Sequence, residues 1–181
     1  MTTFDQELKK NRKKIIDRWF EAIVNTYPKE TARILAKSKN RFDNPVGVAT
    51  MQCAETVVDM LPGETDFKKV ESELDSVIRI RAVQSFEPSN AIGFVFALKS
   101  IVRDVLGSSF FNKSSDRKIS EAFDKKVDNI ALTAFDRFMK CREDIFLLKA
   151  MESKRRIHRA FERAGLVPEL TEEELLGSSE S

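Results

Sequence analysis

From about Ser115 to Ala164 the chain holds one continuous helical pattern, and no other feature limits the fold as strongly. Phe123, Val127, Ile130, Ala134, Phe138, Cys141, Ile145 and Leu148 follow a single stripe, the spacing of an α-helix with one apolar face. At about 1.5 Å of rise per residue, a helix of this extent outruns the diameter of a small domain. Its far end, from about Glu152, must protrude, pair with another copy or bend back. The heptad-like spacing suits a homodimer, with Phe123, Val127, Ile130, Phe138 and Ile145 as the expected contacts between copies.

The rest of the chain predicts helices too. Six Gly and five Pro in 181 residues leave little turn chemistry for a many-stranded sheet. Apolar residues at 41% and charged residues at 33% fit a globular protein. Fourteen Phe stand against one Tyr and one Trp, and rings without a polar handle belong in an interior. A first helix is predicted from near Thr3 to about Tyr27, with Leu8, Ile15, Trp19 and Ile23 recurring along it. Pro28 opens a short second helix, with Ala32 and Leu35 facing inward. In "RFDNPVGVAT", Asn44 can cap free amides and Pro45 suits the first helical position. The third helix then carries Met51, Ala54, Val57, Val58 and Leu61 up to Pro62-Gly63. A fourth runs from about Asp66 to Gln84, with Phe67, Val70, Leu74, Val77 and Ile78.

"FEPSN" then turns the chain, with Ser89 as the cap of a fifth helix that ends at Gly107. Ala91, Ile92, Phe94, Val95, Phe96, Leu98, Ile101, Val102, Val105 and Leu106 make that helix apolar around most of its circumference. Such a helix is expected to be central and covered on several faces. Gly93 inside it costs about 1 kcal/mol relative to Ala, so a close helix crossing there is the expected compensation. The corner before it carries Arg79, Arg81, Gln84, Ser89 and Lys99. In one reading Arg81 and Gln84 tie the corner together through backbone carbonyls. In the other, Arg79, Arg81 and Gln84, with Phe94 and Phe96, hold a ligand at the mouth of an apolar cavity. The first is preferred, because buried polar groups need partners whatever the function.

Candidate chemistry is sparse. No Ser-His-Asp, Cys-His or phosphate-loop pattern can be assembled, so no enzyme is expected. His158, the single histidine, has no companion ligand at metal spacing and is expected on a solvated helix face. Neither a metal nor another cofactor is expected. Cys53 and Cys141 lie far apart on apolar helix faces and predict free thiols. With no signal peptide in view, a cytoplasmic setting follows. Cys141 between Lys140 and Arg142 leaves a redox role open. Lys99 and Arg103 interrupt the longest apolar run below the ~18 residues a membrane span requires. The net charge of +2 implies no particular polyanion. Lys154, Arg155, Arg156, Arg159 and Arg163 do crowd one helix end, so a nucleic-acid-binding regulator using Lys154–Arg163 is the alternative function. Glu152 and Glu162 interrupt that run and an acidic tail follows it, which favours a solvated or partner-docking face.

"RFDNPVGVAT", "IRIRAVQSFEPSNAIGFVFALKSI" and "WFEAIVNTYP" resemble the N-terminal domain of the RsbT co-antagonist proteins, the RsbR/RsbRD family. The likeness covers roughly Thr3 to Leu148, and "RAVQSFEPSNAIGF" is its most specific string. The resemblance implies an all-α, globin-like helical bundle without haem, with a long C-terminal helix and pairing through helices. It further implies a sensory input module, which in relatives is joined to a C-terminal output domain such as the stressosome STAS domain. No output domain fits the residues after Leu148, so a stand-alone module or a shortened chain is expected, similar to stand-alone copies in sulfate-reducing bacteria. No catalytic residues come with the family. The expected organisation is a helical domain over 1–165 and an acidic tail over 166–181 without fixed structure. The expected function is non-enzymatic: signal input or adaptor work through a homodimer, an unidentified protein partner and a small apolar ligand.

Overall fold

The computed structural model describes residues 3–37, 42–107 and 114–166, and among these every regular element is helical. They are α1 (Thr3–Lys10), α2 (Arg12–Val24), α3 (Lys29–Lys37), α4 (Pro45–Asp59), α5 (Phe67–Val83), α6 (Pro88–Ile92), a 3₁₀ turn (Gly93–Val95), α7 (Ala97–Leu106) and α8 (Ser114–Arg163). The chain falls into two units, Met1–Cys141 and Arg142–Ser181, and the division lies inside α8. The loop between Gly107 and Ser114, and the acidic tail after Leu166, lie outside the described residues.

In the first unit, α2 is the hub, packing on α4, α7 and α3. Ile15, Ile16, Trp19, Ile23 and Val24 give it a buried stripe at helical spacing. The predicted single helix over 3–27 is broken at Asn11. The Asn11 side-chain amide donates to the Glu7 carbonyl at 3.0 Å, alongside its own backbone N–H, and competes with helix propagation. The α2 helix stops at Val24, where the Thr26 and Tyr27 amides bond three residues back, to Ile23 and Val24.

The α3–α4 junction is built around Asn44. Its side-chain oxygen accepts from Gly47 N at 2.9 Å, and its amide donates to the Leu35 carbonyl at 2.8 Å. One side chain thus caps the start of α4 and the end of α3. Gly47 is required here, since a Cβ on it would lie 2.1 Å from Asn44 Nδ2. At the next junction, Asp66 caps α5 by accepting from Lys68 N and Lys69 N.

The predicted fifth helix is divided into α6, the 3₁₀ turn and α7. Gly93 sits at this tightening, exposed, and a Cβ on it would meet nothing within 4 Å. The expected close crossing is absent there. Nor is this stretch covered all round: Leu98, Ile101 and Val102 are buried, while Phe96 is 46% exposed. The part of α8 within the first unit closes the bundle with Phe123, Val127, Ile130, Ala131, Ala134, Phe138 and Cys141, all buried. Phe123 meets Phe4 edge-on at 5.5 Å. Lys99–Asp128, Arg103–Asp124 and Arg137–Asp75 ion pairs fix its rotation, and Lys126 Nζ donates to the Leu61 and Gly63 carbonyls.

In the second unit α8 continues to Arg163. Gly165, at φ +68°, closes it, with the Leu166 amide bonding back to the Phe161 carbonyl.

Candidate functional site

The corner after α5 gathers the first unit's least ordinary chemistry. Ser85 takes a left-handed backbone (φ 60°), and the Phe86 amide bonds back to the Arg81 carbonyl. Together they stop α5 and swing Phe86 over the bundle. Pro88 then starts α6. Arg81, in the last turn of α5, points inward and is fully buried.

Its guanidinium has no carboxylate partner among the contacts described. Nη1 donates to the carbonyls of Asn90 (3.1 Å) and Ala91 (3.3 Å), at the end of α6. Nη2 donates to the Ile23 carbonyl (3.1 Å) near the end of α2 and to Thr26 Oγ1 (2.8 Å). One cation therefore satisfies the carbonyl ends of two helices, where the helix dipoles place partial negative charge. Three rings surround it, with Tyr27, Phe86 and Phe94 centroids 5.0, 5.1 and 4.6 Å from Cζ. Their π-faces offset part of the lost hydration, although burial still lowers the Arg81 pKa from its ordinary value. Phe94 is held in turn by Trp19, whose Nε1 donates to the Phe94 carbonyl at 2.8 Å. Arg81 Nε and Tyr27 Oη are both buried with no other partner, and the Tyr27 hydroxyl lies close enough to the guanidinium to oppose the lowering of its pKa.

Of the residues singled out from the sequence, the structure brings Arg81 and Phe94 together. Arg79 faces solvent and pairs with Asp75 at 3.2 Å. Gln84 is exposed at the end of α5, where its backbone rather than its side chain does the capping. Phe96 lies under Lys99 Nζ at 5.8 Å, away from the guanidinium's ring cage. Sequence reasoning placed Phe86 at the turn in "FEPSN" but missed Tyr27, Thr26 and Trp19 as parts of the corner. A signal was available: Tyr27 and Trp19 are the single Tyr and Trp, and polar-tipped aromatics in a Phe-rich core seek partners.

Two clefts flank α3 in the same unit. One, of about 460 Å³, lies among Ile16, Phe20, Leu35, Val48 and Met51. The other, of about 680 Å³, reaches Tyr27 past Phe20, Val24 and Ala32.

The expected dimer contacts are placed differently. Phe123, Val127, Ile130 and Phe138 are 0–3% exposed within a single chain, so their apolar surface is consumed by its own core. Ile145 is half-buried, and Leu148 is 66% exposed. In the second unit Phe146, Leu147, Leu148, Met151, Ile157 and Phe161 are all exposed. So are Lys154, Arg155, Arg156, Arg159 and Arg163. His158 departs from the solvated position expected of it: its side chain is 14% exposed, with Nδ1 3.1 Å from Glu162 Oε1.

Both thiols are free and buried. Burial pushes Cys53 up to about 12. Among the described residues no group of His, Cys, Asp and Glu could hold a metal ion, and no helix is long and apolar enough to cross a membrane.

A helical bundle tied at its corner by a buried cation defines a structural module, and the comparisons supply its family. The chain matches the family described as "RsbT co-antagonist protein rsbRD N-terminal domain" over residues 13–152, and it belongs to that family. A protein of Archaeoglobus fulgidus, described as uncharacterized, is 29% identical over 147 residues, covering 80% of this chain and 85% of its own. No solved structure matches.

Proposed function

We propose that the chain is a non-enzymatic sensory and regulatory module of stress signalling. It works in the cytoplasm as a homodimer that a protein partner reads. Family membership supports the regulatory class, and a globin-like arrangement of the bundle goes with that reading.

The observation that carries the pairing is a seam in the second unit. Phe146, Ala150, Ser153, Ile157, Ala160 and Ala164 follow each other at spacings of four and three, and all are exposed in the single chain. That is the a/d repeat of a two-helix coiled coil. Small residues at its C-terminal end allow close approach. Lys154, Arg156 and Arg163 then flank the seam, while Arg155 and Arg159 lie on the side turned away from it, available to an acidic partner surface. The Arg81 corner is the input in this reading, because a change in how it holds the ends of α2 and α6 alters the packing in which α8 is set.

Cross-linking tests the pairing. Ile157→Cys should yield a disulfide-linked dimer under mild oxidation, while the parent chain, whose Cys53 and Cys141 are buried, should not. An Ile157→Cys chain that stays monomeric under oxidation would remove the paired-helix reading.

A further inference from the structure

We propose that the acidic segment 167–181 folds back on the far end of α8 and covers the face made by Met151, Arg155, His158 and Glu162. The inference concerns the second unit by itself. It goes beyond the pairing reading and does not depend on it, because this face and the seam lie on different sides of the helix.

Among its described residues the second unit is the end of one helix, and the side chains of such an end should be wet. From Phe146 to Leu166 every residue is exposed except two, His158 and Glu162. The His158 side chain is 14% exposed and that of Glu162 26%. Met151, Arg155, His158 and Glu162 follow each other at spacings of four, three and four, so they form one stripe, with Phe161 beside it. Met151, Arg155 and Phe161 are exposed themselves. His158 Nδ1 is engaged 3.1 Å from Glu162 Oε1, while Nε2 is buried with no partner. A buried polar atom without a partner is costly. This face therefore calls for a cover that brings a polar group to the ring.

The end of α8 sends the chain toward it. The Gly165 amide bonds back to the Glu162 carbonyl at 2.9 Å and the Leu166 amide to the Phe161 carbonyl at 3.0 Å, with Gly165 at φ +68°. Paired bonds of this kind bend the chain off the helix axis, and Pro168 bars a continuation of the helix. The chain thus leaves α8 at the edge of the proposed face. Residues 167–181 reach about 50 Å when extended, whereas the stripe from Glu162 back to Met151 is about 17 Å long.

The composition of the segment matches what it would cover. Glu169, Glu172, Glu173 and Glu174 oppose Arg155 and Arg159, the cations turned away from the seam. Leu170, Leu175 and Leu176 supply apolar surface for Met151 and Phe161. Thr171 offers a hydroxyl donor to a neutral imidazole and the glutamates offer acceptors to a charged one, so Nε2 is matched in either protonation state. Held there, the segment is a tethered competitor for any acidic partner of Arg155, at an effective concentration of about millimolar. A partner must displace it, so the contact acts as a brake on partner binding.

His158 is the single histidine, so its ring gives one set of NMR signals in the full chain. The test compares the parent with Glu172→Gln/Glu173→Gln/Glu174→Gln and with Leu170→Ser/Leu175→Ser/Leu176→Ser, at one pH and at several protein concentrations, with melting temperature as the control for folding. In the parent the Hε1 and Hδ2 signals should stand apart from those of free histidine. Both variants should move them toward the free values, at every protein concentration. Ring signals that are the same in all three chains overturn the proposal. So do parent signals that move on dilution while both variants match the parent, since a second copy would then be the cover.

Discussion

Arg81 shows how much one side chain can decide. Its planar fork reaches the carbonyl ends of α2 and α6 at once, which a lysine ammonium on its flexible stem cannot do. Arg81→Lys should therefore lower unfolding free energy by about 3 kcal/mol, seen as a reduced urea midpoint. Ser85 is the opposite case, a residue held in a backbone region that disfavours it (φ 60°). Ser85→Gly should raise stability by about 1 kcal/mol, readable as a higher melting temperature with unchanged circular dichroism. A pH effect belongs at this scale as well. The Arg12 guanidinium bonds Asp59 and holds its carboxyl below the ordinary value. The folded pKa is the lower one, so the pair's contribution is present above the unfolded carboxylate value and fades as pH falls through the folded one. Both partners are about half exposed, so the effect is small. Asp59→Asn should flatten the acid limb of a stability–pH curve only slightly.

Among the elements, α3 and α4 are coupled through Asn44, and their stability should show it. Asn44→Ala removes the cap of α4 and the tie to α3 together, at a cost of about 2 kcal/mol. Gly47→Ala should cost a similar amount, because its Cβ would force Asn44 out of place. The double variant should cost little more than either single one, since both break the same contact. Urea denaturation of the three chains measures this directly. The Asn44-Pro45 start and the stop of α5 near Gln84 were legible because capping and turn chemistry are local. The break at Asn11 and the 3₁₀ turn at Gly93 were not, since hydrophobic spacing runs through both without a change of period. The same limit applies to the corner. Arg81 stood out as a polar residue in an apolar context, but Thr26 and Tyr27 approach it from 55 and 54 positions away, a closeness only packing creates.

For the molecule as a whole, α8 carries two different apolar faces in turn. The stripe from Phe123 to Cys141 closes the bundle of the first unit, and the seam from Phe146 to Ala164 is exposed in the second. Spacing alone could not separate them, because a stripe buried in its own chain and one that pairs between chains share the same period. That is why Phe123, Val127, Ile130 and Phe138 were assigned to a dimer in the sequence and belong to a core in the fold. The central claim is that the exposed seam joins two copies. Sedimentation velocity at micromolar concentration tests it most directly, comparing the parent chain with Phe146→Glu/Ile157→Glu. The account predicts a dimer for the parent and a monomer for the variant, with melting temperature nearly unchanged because both positions are exposed. A monomeric parent, or a variant that sediments as a dimer, would contradict it.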